Sequence, residues 1–468
     1  MLHQRVVLHI DMNSYFASVE QQANPFLRGR AVAVCAYLSP NGCVIASSRE
    51  AKEKGVKTGL RVRDARSLYP PTIFLQNDPI KYRTTTEAIF GIFAEYSDRI
   101  EPYSIDEAFI DLTGYAADLK HGAEIGREIN RRIKEEVGEW LRSSVGIAET
   151  RFIAKLASDT GPKDSVTVLP SSQLASYLKT ISLRDIWGIA GGLERRLASI
   201  GITSPLRFRQ VPMMHILSSL GKPGYYLWAS LNGIELNGVA KEEEHTQKSI
   251  GHSYCLPKKT NDPKTLAAIL MKLCEKTGRR LRAARVEAWN ISVGRRCENP
   301  LAFHQYPSPR GRSIGKNPPQ LARARPLDAI EGRASEAEHG RAQERPMRVF
   351  STNVRAPLFD SFDIFREAWR LLKADTISSP VSMLAVSVSR LMPPSAQFSL
   401  FPCRRGGSRR VACALDAIND RWGEYTVMRG AMWHTQKNAP DRIGYRKSTE
   451  IPKWRETIQS IPLAEDAE

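Results

Sequence analysis

The run VVLHID at residues 6–11 is the feature that most restricts how this chain can fold. Val6, Val7 and Ile10 are β-branched, and the run is too short for a buried helix, so it predicts a buried strand. The run ends at Asp11. A carboxylate at the tip of a core strand is costly unless something pairs with it. The strand therefore predicts a partner for Asp11 elsewhere in the chain.

A second acidic segment, YSIDEAFIDLTG at residues 103–114, supplies candidates for that partnership. Its flanks predict strand, and neighbouring side chains on a regular strand point to opposite faces. Asp106 and Glu107 can therefore share a site only where the backbone bends, as at a hairpin tip. Alone, such a pair is usually a solvated turn. Together with Asp11 it makes three carboxylates, and Mg²⁺ prefers such oxygen ligands combined with substrate phosphates.

The charge balance points to a polyanionic partner. The 468 residues include 68 Lys and Arg against 50 Asp and Glu, a net charge of +18. Such an excess favours nucleic acid as the partner, the alternative being a protein that is merely basic. Two metal ions together hold the attacking and leaving oxygens of a phosphoryl transfer. Clustered acids on a basic protein therefore suggest metal-dependent chemistry on nucleic acid.

Length, hydropathy and cysteine usage narrow the class further. A chain of 468 residues predicts several domains. No apolar run approaches the ~18 residues of a membrane span, and the N-terminus lacks a signal-peptide pattern. We therefore expect a cytoplasmic protein with no membrane association. The seven cysteines show no CxxC pair and no Cys/His spacing typical of zinc sites.

The composition changes along the chain. Strand-like and helix-like segments alternate up to about residue 165, and the chain then looks helical over 170–243 and mixed over 248–298. Residues 299–349 are rich in Pro, Gly, Arg and Ala, which predicts a disordered insert. Order is expected to resume with the helix DSFDIFREAWRLLKAD and the alternating strand SMLAVSVSRL.

Three segments, HIDMNSYFASVE, SIDEAF and GIAETRFIAKLASD, resemble the signature segments of the Y family (translesion, UmuC/DinB-like) of bacterial DNA polymerases. The likeness covers about residues 5–298 and 350–401. It implies a multidomain α/β and α+β fold, the right-hand polymerase with palm, small fingers, helical thumb and little finger. The implied domains are palm 1–30 and 77–168, fingers 31–76, thumb 169–243, little finger 244–393 interrupted by the insert 299–349, and a C-terminal tail 394–468.

The resemblance implies DNA-templated addition of deoxynucleotides to a primer 3′ end, with low fidelity and bypass of damaged template bases. The implied cofactor is a pair of Mg²⁺ ions, with Mn²⁺ as a substitute. Asp11 and Asp106 would hold both ions, Glu107 would assist one of them, and Met12 would lend a backbone carbonyl. Many relatives carry a second Asp where this chain has Asn13, a position that is not usually a direct ligand.

Other residues match family positions around the nucleotide. Phe16, five residues after Asp11, matches the aromatic steric gate that collides with a ribose 2′-OH. Composition alone favours a core aromatic at this position, and the motif favours the gate. The implied phosphate contacts are Arg49, Lys52, Tyr82 and Lys155. Many relatives have Tyr and Arg where this chain has Arg49 and Lys52, and a Lys lacks the bidentate fork of Arg.

The DNA-holding parts are implied by weaker patterns. The segment LRDIWGIAGGLERRLASIGI resembles a helix-hairpin-helix with Gly188, Gly191 and Gly192 in its turn, the alternative being a plain helical hairpin. The candidate DNA contacts of the little finger, some of which could simply be a solvated face, are Lys272, Lys276, Arg279, Arg280, Arg282 and Arg285.

QFSLF at 397–401 resembles the bacterial sliding-clamp-binding pentapeptide, with Gln397, Leu400 and Phe401 as anchors. The implied partners are primer-template DNA, deoxynucleoside triphosphates, the bacterial sliding clamp and accessory mutagenesis subunits, in DNA repair and the SOS response. Two alternatives stay open at this point. One is a catalytically weak DNA- and clamp-binding module of the same family. The other is a palm-fold nucleotide cyclase, against which the thumb, little finger and clamp peptide argue.

Overall fold

The structure, a computed structural model, describes residues 4–236, 238–239, 247–297, 347–394 and 405–433, together with residues 435, 438 and 439. These residues belong to two compact units, the first ending at residue 239 and the second starting at residue 247. Nearly all of the predicted insert and the whole QFSLF peptide lie outside the described residues. Among the helices described, none is both long enough and apolar enough to cross a membrane.

The first unit opens with a small α/β segment. Its elements are β1 (Val7–Met12), α1 (Tyr15–Ala23), β2 (Val32–Cys35), β3 (Val44–Ser47), α2 (Arg49–Glu53), α3 (Val62–Leu68) and β4 (Ile73–Gln76). The last three strands form a sheet of their own in the order β3-β2-β4. Ala33, Val44, Ala51 and Val62 pack together beneath it, which gives this segment a separate small core.

The main sheet of the first unit surrounds the predicted core strand. The elements that complete it are α4 (Pro79–Ala94), β5 (Ile100–Pro102), β6 (Glu107–Asp111), α5 (Leu119–Arg132), β7 (Ser143–Ala148), α6 (Arg151–Thr160) and β8 (Val166–Val168). The strand order is β5-β6-β1-β7-β8, and β1 is antiparallel to both of its neighbours. β1 is thus the central strand of the sheet, and its predicted burial is confirmed.

Both faces of this sheet are covered. Leu8 and Ile10 lie in one core together with Ile129 of α5, whereas Val7 lies in a second core together with Ile153 of α6. Gly146 of β7 allows α6 to lie close to the sheet, because a Cβ at this position would clash with backbone atoms of α6. The helix that carries the predicted phosphate-binding lysine is therefore held tightly against the central strands.

Further helices complete the described part of the first unit, and the last of them is broken at Gly221. They are α7 (Leu174–Tyr177), α8 (Gly191–Ala198), α9 (Pro205–Gln210) and α10 (Met213–Leu231). The first helix of the predicted helix-hairpin-helix is only a 3-10 turn, Leu183–Asp185. Ser182 and Asp185 form a capping box around this turn, with Ser182 N donating to Asp185 Oδ2 at 2.8 Å, and the chain then turns away.

The second unit is a four-stranded antiparallel sheet with helices. Its elements are β9 (Ser249–Thr260), α11 (Pro263–Ala283), β10 (Glu287–Cys297), β11 (Arg348–Leu358), α12 (Ser361–Lys373), β12 (Val381–Met392) and α13 (Arg405–Trp422). The strand order is β11-β10-β12-β9, and the inward-facing residues of the strands are buried beneath α11 and α12. β11 was not predicted, since it follows the low-complexity segment directly and carries mostly half-buried, mixed side chains.

Candidate functional site

Two predicted acidic segments meet at one end of the central strands. Asp11 lies directly opposite Glu107 in the register of β1 and β6, and opposite residues of an antiparallel pair share a face. Asp106 occupies the turn between β5 and β6, and its carbonyl accepts a hydrogen bond from Met12 N at 2.9 Å. The predicted bend at this pair is confirmed, because β5 and β6 form a hairpin with Asp106 at its tip.

Glu107 is held by a buried network of polar side chains. Its Oε2 atom lies 2.7 Å from Lys155 Nζ and 3.2 Å from His9 Nε2. Lys155 Nζ also lies 3.4 Å from Asp159 Oδ2. Removing one member of a buried ion pair strongly lowers the free energy of unfolding, because the charge of the other member stays buried without a partner.

Lys155, which the resemblance implies as a phosphate contact, lies inside the fold. The sequence predicted a lysine that reaches out to nucleotide phosphates, but its side chain is 0% exposed and points beneath the acidic residues. The rings of Tyr103 and Trp187 lie 5.6 and 5.9 Å from Nζ. Close packing of α6 on the sheet and these two rings keep the cation inside, so the structure makes Lys155 a counter-ion of Glu107.

His9 is a site residue that the sequence reasoning missed. It is fully buried, its Nδ1 lies 2.6 Å from Ser158 Oγ, and its ring packs on Phe109 with centroids 4.5 Å apart. Burial, and next the positive charge of Lys155, lowers the pKa of His9 to about 4, so the ring is neutral at neutral pH. The available signal was a polar residue inside an apolar strand, two positions before Asp11 and hence on the same face.

Phe16 lies on the first turn of α1, where it is half buried. Its ring stacks on Tyr82 of α4, with centroids 4.5 Å apart and planes 23° from parallel. Tyr82 is fully buried and donates its hydroxyl to Glu20 Oε1 at 2.8 Å. The prediction that Tyr82 contacts nucleotide phosphates finds no support in this geometry, since burial leaves it to support the ring of Phe16 from behind.

Arg49 and Lys52, the two predicted phosphate contacts on α2, lie in different settings. Lys52 Nζ donates to Ser14 Oγ at 2.8 Å, which places this amine beside the loop between β1 and α1. Arg49 pairs with Glu53 at 3.0 Å, and its side chain is 75% exposed. Lys52 is thus beside the chain that connects Asp11 to Phe16, whereas Arg49 is a surface residue of α2.

Asn13 replaces the second Asp of many relatives without leaving the site. Its Oδ1 accepts a hydrogen bond from Ser144 Oγ at 3.1 Å. Its Nδ2 is buried and has no hydrogen-bond partner among the residues that the structure describes. Asn13 is therefore a strand-end residue tied to β7.

The donors at this strand end fit a hard divalent cation. Within the described ranges, no three His, Cys, Asp or Glu side chains converge into a ready-made metal cage. Mg²⁺ is rarely bound by such a cage, because it keeps waters and takes one or two carboxylates together with substrate phosphates. Asp11, Asp106 and Glu107 supply oxygen ligands of this kind. The residues present therefore suit an ion whose coordination the substrate completes.

Comparison with known proteins identifies the family. The sequence model of the impB/mucB/samB family matches residues 10–159, and the model of its C-terminal domain matches residues 247–400. DNA polymerase IV 2 of Bacillus subtilis is 31% identical over 437 residues, covering 92% of this chain and 95% of that protein. DNA polymerase IV of Moorella thermoacetica is 34% identical over 280 residues, which is 59% of this chain and 69% of that protein.

The chain belongs to the Y family of DNA polymerases. A solved Y-family DNA polymerase chimera of Dbh and Dpo4 has the same fold, with a TM-score of 0.65 at 21% identity, covering 83% of this chain and 100% of that chain. The predicted right-hand fold is confirmed. The domain assignment expected from the sequence would make the five-stranded sheet the palm, the three-stranded sheet part of the fingers and the sheet of the second unit the little finger, and these names are used below in that sense.

The thumb glycines occupy the predicted turn. Gly188 adopts a φ of +96°, and Gly191 and Gly192 begin α8. A Cβ on Gly188 or Gly192 would meet no atom of the described chain within 4 Å. The turn is therefore open enough for a close approach of another molecule, although only its second arm is a regular helix.

Several of the little-finger cations predicted to bind DNA have partners within the second unit, whereas Arg285 is exposed. Lys272 is 1% exposed and donates to the carbonyl of Thr435 at 2.7 Å, and Lys276 is also buried. Arg279 pairs with Asp420 of α13, and Arg280 donates to the carbonyl of Gly251 at 3.2 Å. The prediction of DNA contact by these residues finds no support, because they lie on the covered helical side and are used within the unit.

The segment predicted as a tail supplies many of these partners. Arg282 Nη2 donates to Asp416 Oδ1 at 2.9 Å, and Arg429 Nη2 donates to Asp360 Oδ1 at 3.0 Å. Met432 is buried. We name residues 405–439 the C-terminal segment, and their described part is an integral part of the second unit. The clamp anchors Gln397, Leu400 and Phe401 lie outside the described residues.

Proposed function

We propose that the protein extends DNA primers across damaged as well as intact templates, with Asp11, Asp106 and Glu107 as its catalytic acids. It is a DNA-directed DNA polymerase by family. The observation that supports the site is the pairing of Asp11 with Glu107 across β1 and β6, together with the hydrogen bond from Met12 N to Asp106 O. Since its template is DNA, the proposed location of the reaction is the bacterial cytoplasm.

Each acid has a separate role in this proposal. The carboxylates of Asp11 and Asp106, with the Met12 carbonyl, would hold two Mg²⁺ ions, for which Mn²⁺ can substitute. When bound, these ions supply Lewis acidity toward the primer 3′-OH and the triphosphate. Glu107 adds a carboxylate whose position is set by Lys155 and His9. The buried centre of β1 holds this end of the sheet rigid, and positioning is most of what a phosphoryl-transfer enzyme supplies.

The nucleotide would lie against the β1–α1 loop. Phe16 is the proposed steric gate, and its ring is fixed by the stack on Tyr82. A fixed flat ring discriminates against a 2′-OH, the group that separates RNA from DNA precursors. Lys52 lies beside the β1–α1 loop, and Arg49 lies on the surface of α2, the helix that carries both residues. We propose that both cations bind the negatively charged triphosphate.

The open face of the little-finger sheet is our candidate for the DNA-binding surface. Its neighbouring strands carry small neutral side chains in register, and these are Ser249, Gly251, Ser253, Asn290, Ser292, Ser351, Asn353, Ser387 and Ser389. Small residues let the backbone approach a duplex closely, and hydroxyl and amide groups bind phosphate without reading sequence. The thumb turn at Gly188 and Gly192 is proposed as a further phosphate contact.

Primer extension tests the function. The wild-type protein with Mg²⁺ should extend a primer on an intact template and past a template abasic site. Asp106→Asn, which keeps the side-chain shape, should lower the rate by ~10³-fold or more while DNA affinity stays within about threefold, because only charge at the reacting centre is lost. Failure of the wild-type protein to extend either primer would favour the DNA- and clamp-binding module, which the family relationships do not favour.

We also propose the bacterial sliding clamp as a partner, on the evidence of QFSLF at 397–401. Short apolar anchors dock into preformed grooves. Clamp loaded on the template should increase the extension length of the wild-type protein. Simultaneous replacement of Gln397, Leu400 and Phe401 by Ala should abolish that increase and leave clamp-free extension intact. An increase that survives the replacement would exclude the pentapeptide. Accessory mutagenesis subunits can be tested by addition to the same assay.

A further inference from the structure

Trp187 lies where the glycine turn of the predicted thumb meets the palm. It directly precedes Gly188, whose positive φ opens the turn that we propose as a phosphate contact. The half-buried ring of Trp187 packs edge-to-face with Tyr103, with centroids 5.6 Å apart and planes at 87°. The ring of Phe152 on α6 lies on another side, with centroids 5.9 Å apart. One side chain of the turn therefore contacts two separate elements of the palm.

Both of these elements carry residues of the acid site. Tyr103 begins the turn between β5 and β6, three residues before Asp106, and its backbone N donates to the carbonyl of Glu107 at 3.0 Å. On α6, the Nζ atom of Lys155 lies 5.9 Å from the centre of the Trp187 ring and 2.7 Å from Glu107 Oε2. The indole is thus next to the turn that carries the acids and next to the cation that pairs with one of them.

We propose that Trp187 is a positioning residue, through which the thumb turn holds Lys155 and the β5–β6 turn in place and so sets the position of the Glu107 carboxylate. This inference rests on the proposed role of Glu107. Lysine carries its charge on a flexible four-carbon chain, so the chain alone does not fix where the ammonium group lies. An aromatic ring attracts a cation to its face and excludes water beside it. Without the indole, the ammonium group has room to move away from Glu107.

The plain alternative is that Trp187 only fills space in the core, and Trp228 provides the comparison. Trp228 of α10 is also half buried and packs against the same apolar core as Trp187. Its Nε1 donates to the carbonyl of Val211 at 2.9 Å, between α9 and α10. The loss of this second indole therefore weakens packing among the helices, and it is the matched control for a loss of packing at Trp187.

Three variants separate positioning from packing. Trp187→Leu removes the ring, Trp187→Phe keeps a smaller ring, and Trp228→Leu makes the first change at the control position. With saturating primer-template and nucleotide, single-turnover extension should be roughly tenfold slower in Trp187→Leu, about threefold slower in Trp187→Phe and within about twofold of wild type in Trp228→Leu. The Kd for primer-template, measured by fluorescence anisotropy, should stay within about threefold in all three, because the ring positions groups that act at the chemical step.

A double variant shows whether Trp187 acts through Lys155. Lys155→Met already removes the cation, so adding Trp187→Leu should slow extension by less than about twofold further. In urea unfolding without metal or DNA, the losses in the free energy of unfolding should also be smaller together than their sum, since both changes remove the same contact. If Trp187→Leu does not fold, Trp187→Phe takes its place in both comparisons.

A wild-type rate in folded Trp187→Leu would overturn the proposal. Equal slowing by Trp228→Leu would overturn it too, because loss of packing would then explain both effects. Rate effects that multiply in the double variant, or unfolding effects that add, would show that Trp187 and Lys155 act separately, which is a third contradiction. Absence of extension by the wild-type protein would contradict the proposed function instead, and the unfolding comparison would still decide whether Trp187 holds Lys155.

Discussion

In the proposed function, the two large sheets of this molecule use different parts: the palm sheet uses one end of its strands, and the little-finger sheet uses one face. The palm sheet is covered on both faces, and its polar chemistry is concentrated at one end of β1 and β6. In the part of the chain that the structure describes, helices cover one face of the little-finger sheet, and its other face carries small neutral residues. A fully covered sheet can expose function only at its strand ends, whereas a half-covered sheet can present a broad surface.

Each sheet also has a buried lysine on the helix beneath it, and the two lysines have different partners. Lys155 of α6 pairs with a carboxylate of the proposed active site. Lys272 of α11 donates to the backbone carbonyl of Thr435 and lies 4.5 Å from the centre of the Tyr425 ring. Since both residues are lysines, the difference in their proposed roles comes from their partners: a carboxylate of the proposed active site for Lys155, and a backbone carbonyl for Lys272.

Replacing each lysine by methionine tests this contrast and has the largest expected effect. Lys155→Met leaves Glu107 buried without its cation, and we expect a loss of about 3 kcal/mol in the free energy of unfolding. Extension should also fall, because Glu107 loses its position. Lys272→Met leaves a carbonyl unsatisfied, which costs about 1–2 kcal/mol, and the chemical step should be unchanged. Urea unfolding of the full chain and single-turnover extension measure the two effects.

The same pair of variants also gives the contradicting result. Single-turnover extension by Lys155→Met at the wild-type rate, under conditions where the variant is folded, would show that Lys155 is only structural. A slowed chemical step in Lys272→Met would show that the second unit affects the reaction centre. Either result would remove the contrast between the two lysines.

Substitution of Phe16 tests whether the nucleotide binds at the end of β1, as proposed. Phe16→Ala should lower the preference for deoxynucleotides over ribonucleotides by roughly 100-fold, since a steric wall is removed from a site that otherwise tolerates the hydroxyl. Tyr82→Phe is the matched control, because it keeps the stacked ring and removes only the hydrogen bond to Glu20. Competition between the two nucleotides in single-nucleotide insertion measures the ratio, and unchanged selectivity in Phe16→Ala would return this residue to the core.

Local patterns in the sequence predicted the parts of this structure that depend on neighbours along the chain. The apolar run before Asp11 gave the central strand of the palm, and the alternation in SMLAVSVSRL gave β12 with Leu384 and Val386 inward. The acidic pair at 106–107 predicted its own bend. Family resemblance then placed these residues in one site.

The sequence could not reveal which partners distant residues find. Lys272 contacts Thr435, which lies far along the chain. The C-terminal segment was predicted as a tail because the partners of its acidic residues, such as Arg282 for Asp416, lie on a helix distant in sequence. Lys155 has a pattern typical of a phosphate-binding lysine, yet packing of α6 on Gly146 draws it inward. Such contacts depend on tertiary packing, which the local spacing of apolar and polar residues does not predict.

The smallest effect concerns the open face of the little-finger sheet. Ser292 and Ser387 face each other across β10 and β12. Replacing both by Glu adds two negative charges to this face, and primer-template affinity should fall roughly tenfold through repulsion of phosphates. Arg366→Glu is the matched control, since it makes the same change in net charge on exposed α12. Fluorescence anisotropy at several salt concentrations measures both. If Arg366→Glu weakens DNA binding as much as the double variant does, net charge alone sets DNA affinity and the open face does not contact DNA. If only the double variant binds weakly, DNA lies against the small neutral residues, and the two sheets differ in function as they differ in cover.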